Sequence, residues 1–131
     1  MTTKKISTKK SALISINAAL EKKAKRIVLL NVSKISSISD YFLICSGSSD
    51  RQVQAIAAFI EEELKKAGKR PIGIEGERIG KWVLMDYGDI VIHIFYDPVR
   101  DFYDLERLWT DVPRLEIDDD APSLTSLGKG I

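Results

Sequence analysis

The sequence predicts a single α/β domain in which three helices flank a mixed five-stranded sheet. Three observations carry this expectation. Apolar residues recur at helical spacing in two long stretches, several short apolar runs between polar turns have strand character, and the two kinds of segment are interspersed along the chain. At 131 residues the chain is long enough to bury a real core within one domain.

Residues 1–10, MTTKKISTKK, are expected to form a flexible basic start ahead of a domain spanning 11–113. They lack the apolar stretch of a secretory signal and the arginines of a transit peptide, so a cytoplasmic protein is expected. The first helix is expected from Ser11 to Lys25, capped by Ser11, with Leu13, Ile16, Leu20 and Ala24 on one face. Ile27–Val32 is continuously apolar, as in a strand buried on both faces. The polar loop SKISSIS leads to a second strand over Asp40–Ser46.

The second helix carries the clearest signals. Ser49 and Gln52 have the spacing of a capping box, and Val53, Ile56, Ala57, Ile60 and Leu64 form one apolar stripe. Lys65 and Lys66 complement the dipole of the last turn, and Gly68 with Pro71 ends the helix. A short extended piece, Ile72–Glu75, precedes two strands, Trp82–Tyr87 and Asp89–Tyr96. The tight turn at Tyr87-Gly88 makes these antiparallel neighbours. Asp97-Pro98 opens a last helix, with Asp97 as cap and Val99, Phe102, Leu105 and Leu108 or Trp109 facing inward. Pro113 closes it, and residues 114–131 are expected to be a disordered acidic and polar tail.

Composition narrows the function classes. The longest apolar run, Ile90–Tyr96, is interrupted by His93 and falls well short of the ~20 residues a membrane helix needs. The single cysteine, Cys45, fits a reducing compartment and a buried structural role. The net charge of +1 conceals a division: residues 1–26 hold eight bases and one acid, residues 71–120 five bases and thirteen acids. The acidic segment would repel phosphates and attract a basic protein.

Signals for catalysis are weak. Gly47-Ser48 lies between a strand and a helix start, as in nucleotidyltransferases, so a nucleotide-binding enzyme is the alternative reading. Those enzymes need a following Asp-x-Asp to share the catalytic metals, and none occurs there. One histidine removes most metal sites and any dyad of two histidines. Cys45 and His93 could pair as nucleophile and base, yet no third orienting group accompanies them. The expectation is a protein without enzymatic activity, metal or cofactor.

Residues 80–109 hold seven of the ten aromatics, threaded with Asp86, Asp89, Asp97, Asp101, Asp104 and Glu106. Aromatics and arginine among carboxylates suit a protein-recognition surface. Trp82, Leu84 and Asp86 share one face of their strand, and Val83 and Met85 the other. Three helices rarely cover both faces of a five-stranded sheet, so one face is expected to stay partly open.

Three separated motifs then carry a family resemblance. SISDYFLICSGSSDRQVQAIA, GIEGERIGKWVLMDYGDIVIHIF and RDFYDLERLW stand in this order across about Leu13–Val112. With them the chain resembles the ribosomal silencing factor RsfS, or Iojap-like, family. The resemblance implies a nucleotidyltransferase-like fold without the catalytic acids. It implies binding to the large ribosomal subunit through its protein number fourteen, steric blocking of subunit joining, and repression of translation when nutrients are short. It also implies a possible homodimer and no sequence-specific nucleic-acid binding. The expected partner-binding residues are Trp82, Leu84, Asp86, Phe95, Tyr96, Arg100, Tyr103, Glu106 and Trp109. Most weight falls on Trp82, Asp86, Arg100 and Tyr103, because strand alternation sends about half of the set into the core.

Overall fold

Two helices lie on one face of a six-stranded sheet, while a short helix and a 3-10 turn partly cover the other face. The computed structural model describes residues 6–131. The elements are α1 (Thr8–Glu21), β1 (Lys25–Asn31), β2 (Tyr41–Gly47), α2 (Asp50–Lys66), β3 (Gly73–Glu75), β4 (Trp82–Asp86), β5 (Ile90–Tyr96), α3 (Asp97–Tyr103), a 3-10 turn at Leu105–Trp109, and β6 (Arg114–Ile117). The strand order is β3-β4-β5-β2-β1-β6. Only β2 and β5 pair in parallel, so the sheet is mixed as expected.

The sixth strand corrects the expected five. Arg114–Ile117 pairs antiparallel with β1, and the residues beyond it pack as well. Leu124 and Leu127 lie against the helix-side core, and Asn17 exchanges two hydrogen bonds with the Leu124 main chain. The Ile131 carbonyl accepts from the Tyr41 hydroxyl at 3.0 Å. The segment expected to be disordered is therefore docked, because its few apolar residues are spaced to reach the outer side of α1.

The start of the chain also differs. The first helix begins at Thr8 and is capped by Ser7, whose hydroxyl accepts from Lys10 N–H. Ser11, the expected cap, is buried inside the helix and donates to the Ser7 carbonyl. Lys23 adopts φ 64 and turns the chain out of the helix before Lys25. The part of the expected flexible start that covers residues 1–5 lies outside the described residues.

The core follows the alternation of the strands. Ile27, Leu29, Leu43, Cys45, Val83, Met85, Ile92 and Ile94 face α1 and α2, meeting Ile16, Val53, Ile56, Ile60 and Leu64. Val28, Leu30, Ile44 and Phe95 face the other way, under Phe42, Trp82, Val99, Leu105 and Trp109. This two-sided burial explains the unbroken apolar run of β1. Each fully buried Leu or Ile contributes about 2 kcal/mol of transfer free energy, so the helix side dominates stability. Among the described residues no helix is long and apolar enough to cross a membrane.

Helix α3 is shorter than its apolar pattern suggests. Asp104 takes the left-handed conformation at φ 47, breaking the helix, and the chain continues as the 3-10 turn. The break rotates Phe102 and Leu108 outward, to 81% and 65% exposure, instead of toward the core. Asp97 is the first helical residue and Tyr96 precedes it without a side-chain cap, so the expected aspartate cap does not form.

Candidate functional site

The β4–β5 hairpin builds the partly open face. Gly88, at φ 84, makes the turn, and the Asp86 carboxylate accepts its N–H at 2.8 Å. The register then sets Trp82 opposite Phe95 and Leu84 opposite His93. Phe95 is fully buried, and the half-exposed Trp82 indole covers it with ring centroids 4.8 Å apart. Trp82 Nε1–H donates to His93 Nδ1 at 3.2 Å, which puts the neutral imidazole's proton on Nε2. On the far side, Tyr103 stands 5.1 Å from Trp82 and Phe102 5.2 Å from Tyr103. A run of rings thus leads from the sealed sheet to solvent.

The loop before Trp82 fixes where the ring stands. Gly76 sits at φ 86 against the Trp82 carbonyl, with which any Cβ would collide. Gln54 of α2 donates to the carbonyls of Glu77 and Arg78 at 2.9 and 3.1 Å, tying the loop to the helix. Beside it, Glu75, Gly76, Trp82 and Leu84 line a shallow cavity of about 320 Å³.

The expected partner residues separate into three groups. Trp82, Leu84 and Tyr103 come together at the accessible part of the face. Trp109 packs edge-on against Phe42 at 4.9 Å and closes one margin. Asp86 shares the face with Trp82 but lies four strand residues away, about 13 Å, where it holds the hairpin turn.

Phe95, Tyr96, Arg100 and Glu106 need correction as contact residues. Phe95 is core. Tyr96 points to the helix side, beneath the Lys81 ammonium, since strand neighbours alternate. Arg100 is 3% exposed, and its guanidinium donates to both Glu106 oxygens, the Arg26 carbonyl and the Ser46 hydroxyl. Arg100 and Glu106 therefore hold α3 and the 3-10 turn on the sheet. Phe102 and Leu108 are the accessible residues that sequence reasoning assigned to the core. The helical period alone gave no sign of the break at Asp104.

Burial sets the titration of this face. His93 sits 7% exposed among rings, and desolvation lowers its pKa from 6.5 to about 4. The unfolded chain therefore takes up this proton first as pH falls. Stability is present in full above about 6.5 and declines until pH reaches about 4. His93→Phe is expected to flatten that decline in thermal melts across the window; an unchanged slope would place the titration elsewhere.

The Gly47-Ser48 turn is filled by the protein itself. Ser48 N–H and hydroxyl both donate to Gln52 Oε1, at 2.6 and 2.8 Å, and Gln52 Nε2 donates to the carbonyls of Lys22 and Lys23. This replaces the reciprocal half of the capping box, while Ser49 still accepts from Gln52 N–H. An anion entering the turn would have to displace these bonds. Cys45 and His93 cannot form a dyad. They alternate along the β2–β5 register, placing the thiol on the helix side, where burial raises its pKa to about 12.

A small α/β domain with an aromatic, carboxylate-bordered docking face belongs to the class of protein-binding modules. More particularly, the chain belongs to the RsfS family, ribosomal silencing factor during starvation, whose family model matches residues 5–128. Ribosomal silencing factor RsfS of Halalkalibacterium halodurans is 43% identical over 105 residues, covering 80% of this chain and 90% of that protein. A crystal structure of a Chromobacterium violaceum protein superposes with a TM-score of 0.77 at 38% identity, covering 79% of this chain and 87% of that one. A mouse protein named for mitochondrial assembly of the ribosomal large subunit is 33% identical over 93 residues, covering 69% of this chain and 41% of its own length.

Proposed function

We propose that this protein is a non-catalytic steric inhibitor of ribosome assembly, acting in the cytoplasm. Its aromatic face docks on the large subunit, at protein number fourteen, and the bound domain keeps the small subunit from joining. The observation that carries this reading is the exposed run Trp82, Tyr103 and Phe102 on a rigid sheet. Rings of this kind, with one side packed and the other accessible, supply much of the energy of protein interfaces. The names of the bacterial relatives support silencing, and the name of the mouse relative supports the large subunit as partner. The fold is read as nucleotidyltransferase-like with its metal-binding carboxylates missing. A homodimer would compete for the same face.

Co-sedimentation with purified large subunits, beside capture by the isolated protein number fourteen, tests the proposal. Binding to both, without nucleotide turnover in magnesium or manganese, is the expected result. Metal-dependent nucleotide transfer that tracks the protein through purification would favour the enzyme.

A further inference from the structure

The cations of this chain segregate along the strand axis rather than along the sequence. β2 and β5 run parallel, and their antiparallel neighbours β1 and β4 begin where they end. One end of the sheet therefore gathers the start of β1, the start of α2 and the loop before β4. Lys22, Lys23, Lys25, Arg51, Arg78 and Lys81 are all exposed there, and among the described residues none forms a salt bridge. Hydrogen bonds from Gln52 to Lys22 and Lys23, and from Gln54 to Arg78, show that these segments adjoin the first turn of α2.

The acids at this end leave the patch positive. Asp50 caps Arg51 N–H, Glu77 lies in the loop, and Asp97 and Asp101 are engaged by Arg26 at 2.7 and 3.0 Å. At the opposite end stand Asp40, Asp86 and Asp89, the last paired with Lys69 at 2.7 Å. Arg78 and Lys81 belong to the acidic part of the sequence yet join the basic end in space.

We propose that this basic end docks on the phosphate backbone of a structured RNA, beside the protein contact made by the aromatic face. The four strands β1, β2, β5 and β4 spread the cations over about 14 Å, wide enough to meet several phosphates. Arg51 and Arg78 offer planar forks suited to phosphate, and the four lysines add point charges. Such contacts position without reading bases. Trp82 follows Lys81 directly, so the two surfaces are continuous. The choice of RNA over other polyanions rests on the ribosomal reading above, since a ribosome sets protein and RNA side by side.

Fluorescence anisotropy with a short labelled RNA duplex, at about 50 to 200 mM salt, tests the inference. The wild-type chain is expected to bind with a steep salt dependence. The combined Lys22→Glu, Arg51→Glu and Arg78→Glu variant, checked for an unchanged thermal melt, is expected to bind at least about tenfold more weakly, and its log-log salt slope should be smaller by about two. Trp82→Ala should bind the duplex normally. Equal binding by wild type and triple variant would overturn the inference, as would wild-type preference for phosphatidylglycerol vesicles over the duplex. If the wild type binds the duplex through these residues but fails to sediment with large subunits, the silencing reading falls and the RNA contact stands.

Discussion

Trp82→Ala is expected to weaken binding to the large subunit by about 2 kcal/mol, or about thirtyfold in Kd. The ring is half-buried, stacked on Phe95 and flanked by Tyr103, so truncation removes the middle of the exposed aromatic run. It also frees His93 Nδ1, which loses its donor. The fold should survive, because the helix-side core does not include Trp82. Trp82→Phe keeps a ring but not the indole N–H and should fall between the two. Titration of labelled variants with large subunits, alongside circular dichroism, checks this. Normal binding by the alanine variant would make the ring peripheral, and a collapsed spectrum would make it core.

Arg100→Leu is expected to cost about 3 kcal/mol or more of stability, with Tm lower by at least about 10 °C. The buried guanidinium holds four oxygens within 2.6 to 3.0 Å, two of them on Glu106. Two of the others matter for backbone geometry. Arg26 sits at φ 53 in an irregular stretch of β1, and its carbonyl is turned into the guanidinium. Removing Arg100 leaves that carbonyl, the Ser46 hydroxyl and the Glu106 carboxylate without their donor. Lysine should not rescue, since one ammonium cannot reproduce the fork.

The same pairing has a pH signature. The Arg100 hydrogen bonds hold Glu106 below the ordinary carboxylate range. Its folded pKa is depressed, so this stabilisation is present above the unfolded carboxylate's pKa and is lost as pH falls through the folded one. Arg100→Leu should remove that acid-side loss. A variant that loses ribosome binding yet melts like the wild type would return Arg100 to the contact surface.

How much could be read from sequence varied by element for physical reasons. α2 was legible because capping, an apolar stripe and a glycine stop all agree, and Val53, Ile56, Ala57, Ile60 and Leu64 are buried as expected. The hairpin was legible because Gly88 permits the positive φ and alternation fixes the faces of Trp82 and Leu84. β6 was not, since RLEI is short, half charged and followed by acids, so only pairing with β1 reveals it. Arg100 looked like a surface residue of a helix; its burial depends on Arg26 and Ser46, 74 and 54 positions away. Phe102 and Leu108 were misplaced because a single left-handed residue, Asp104, ended the period.

Light scattering during subunit joining tests the central claim most directly. Small subunits would be added to large subunits preincubated with the wild-type chain or with Trp82→Ala. The account predicts that the wild type suppresses the rise in scattering in proportion to its occupancy of large subunits, and that Trp82→Ala suppresses it only at roughly thirtyfold higher concentration. Full-rate joining with large subunits saturated by the wild-type chain would contradict it.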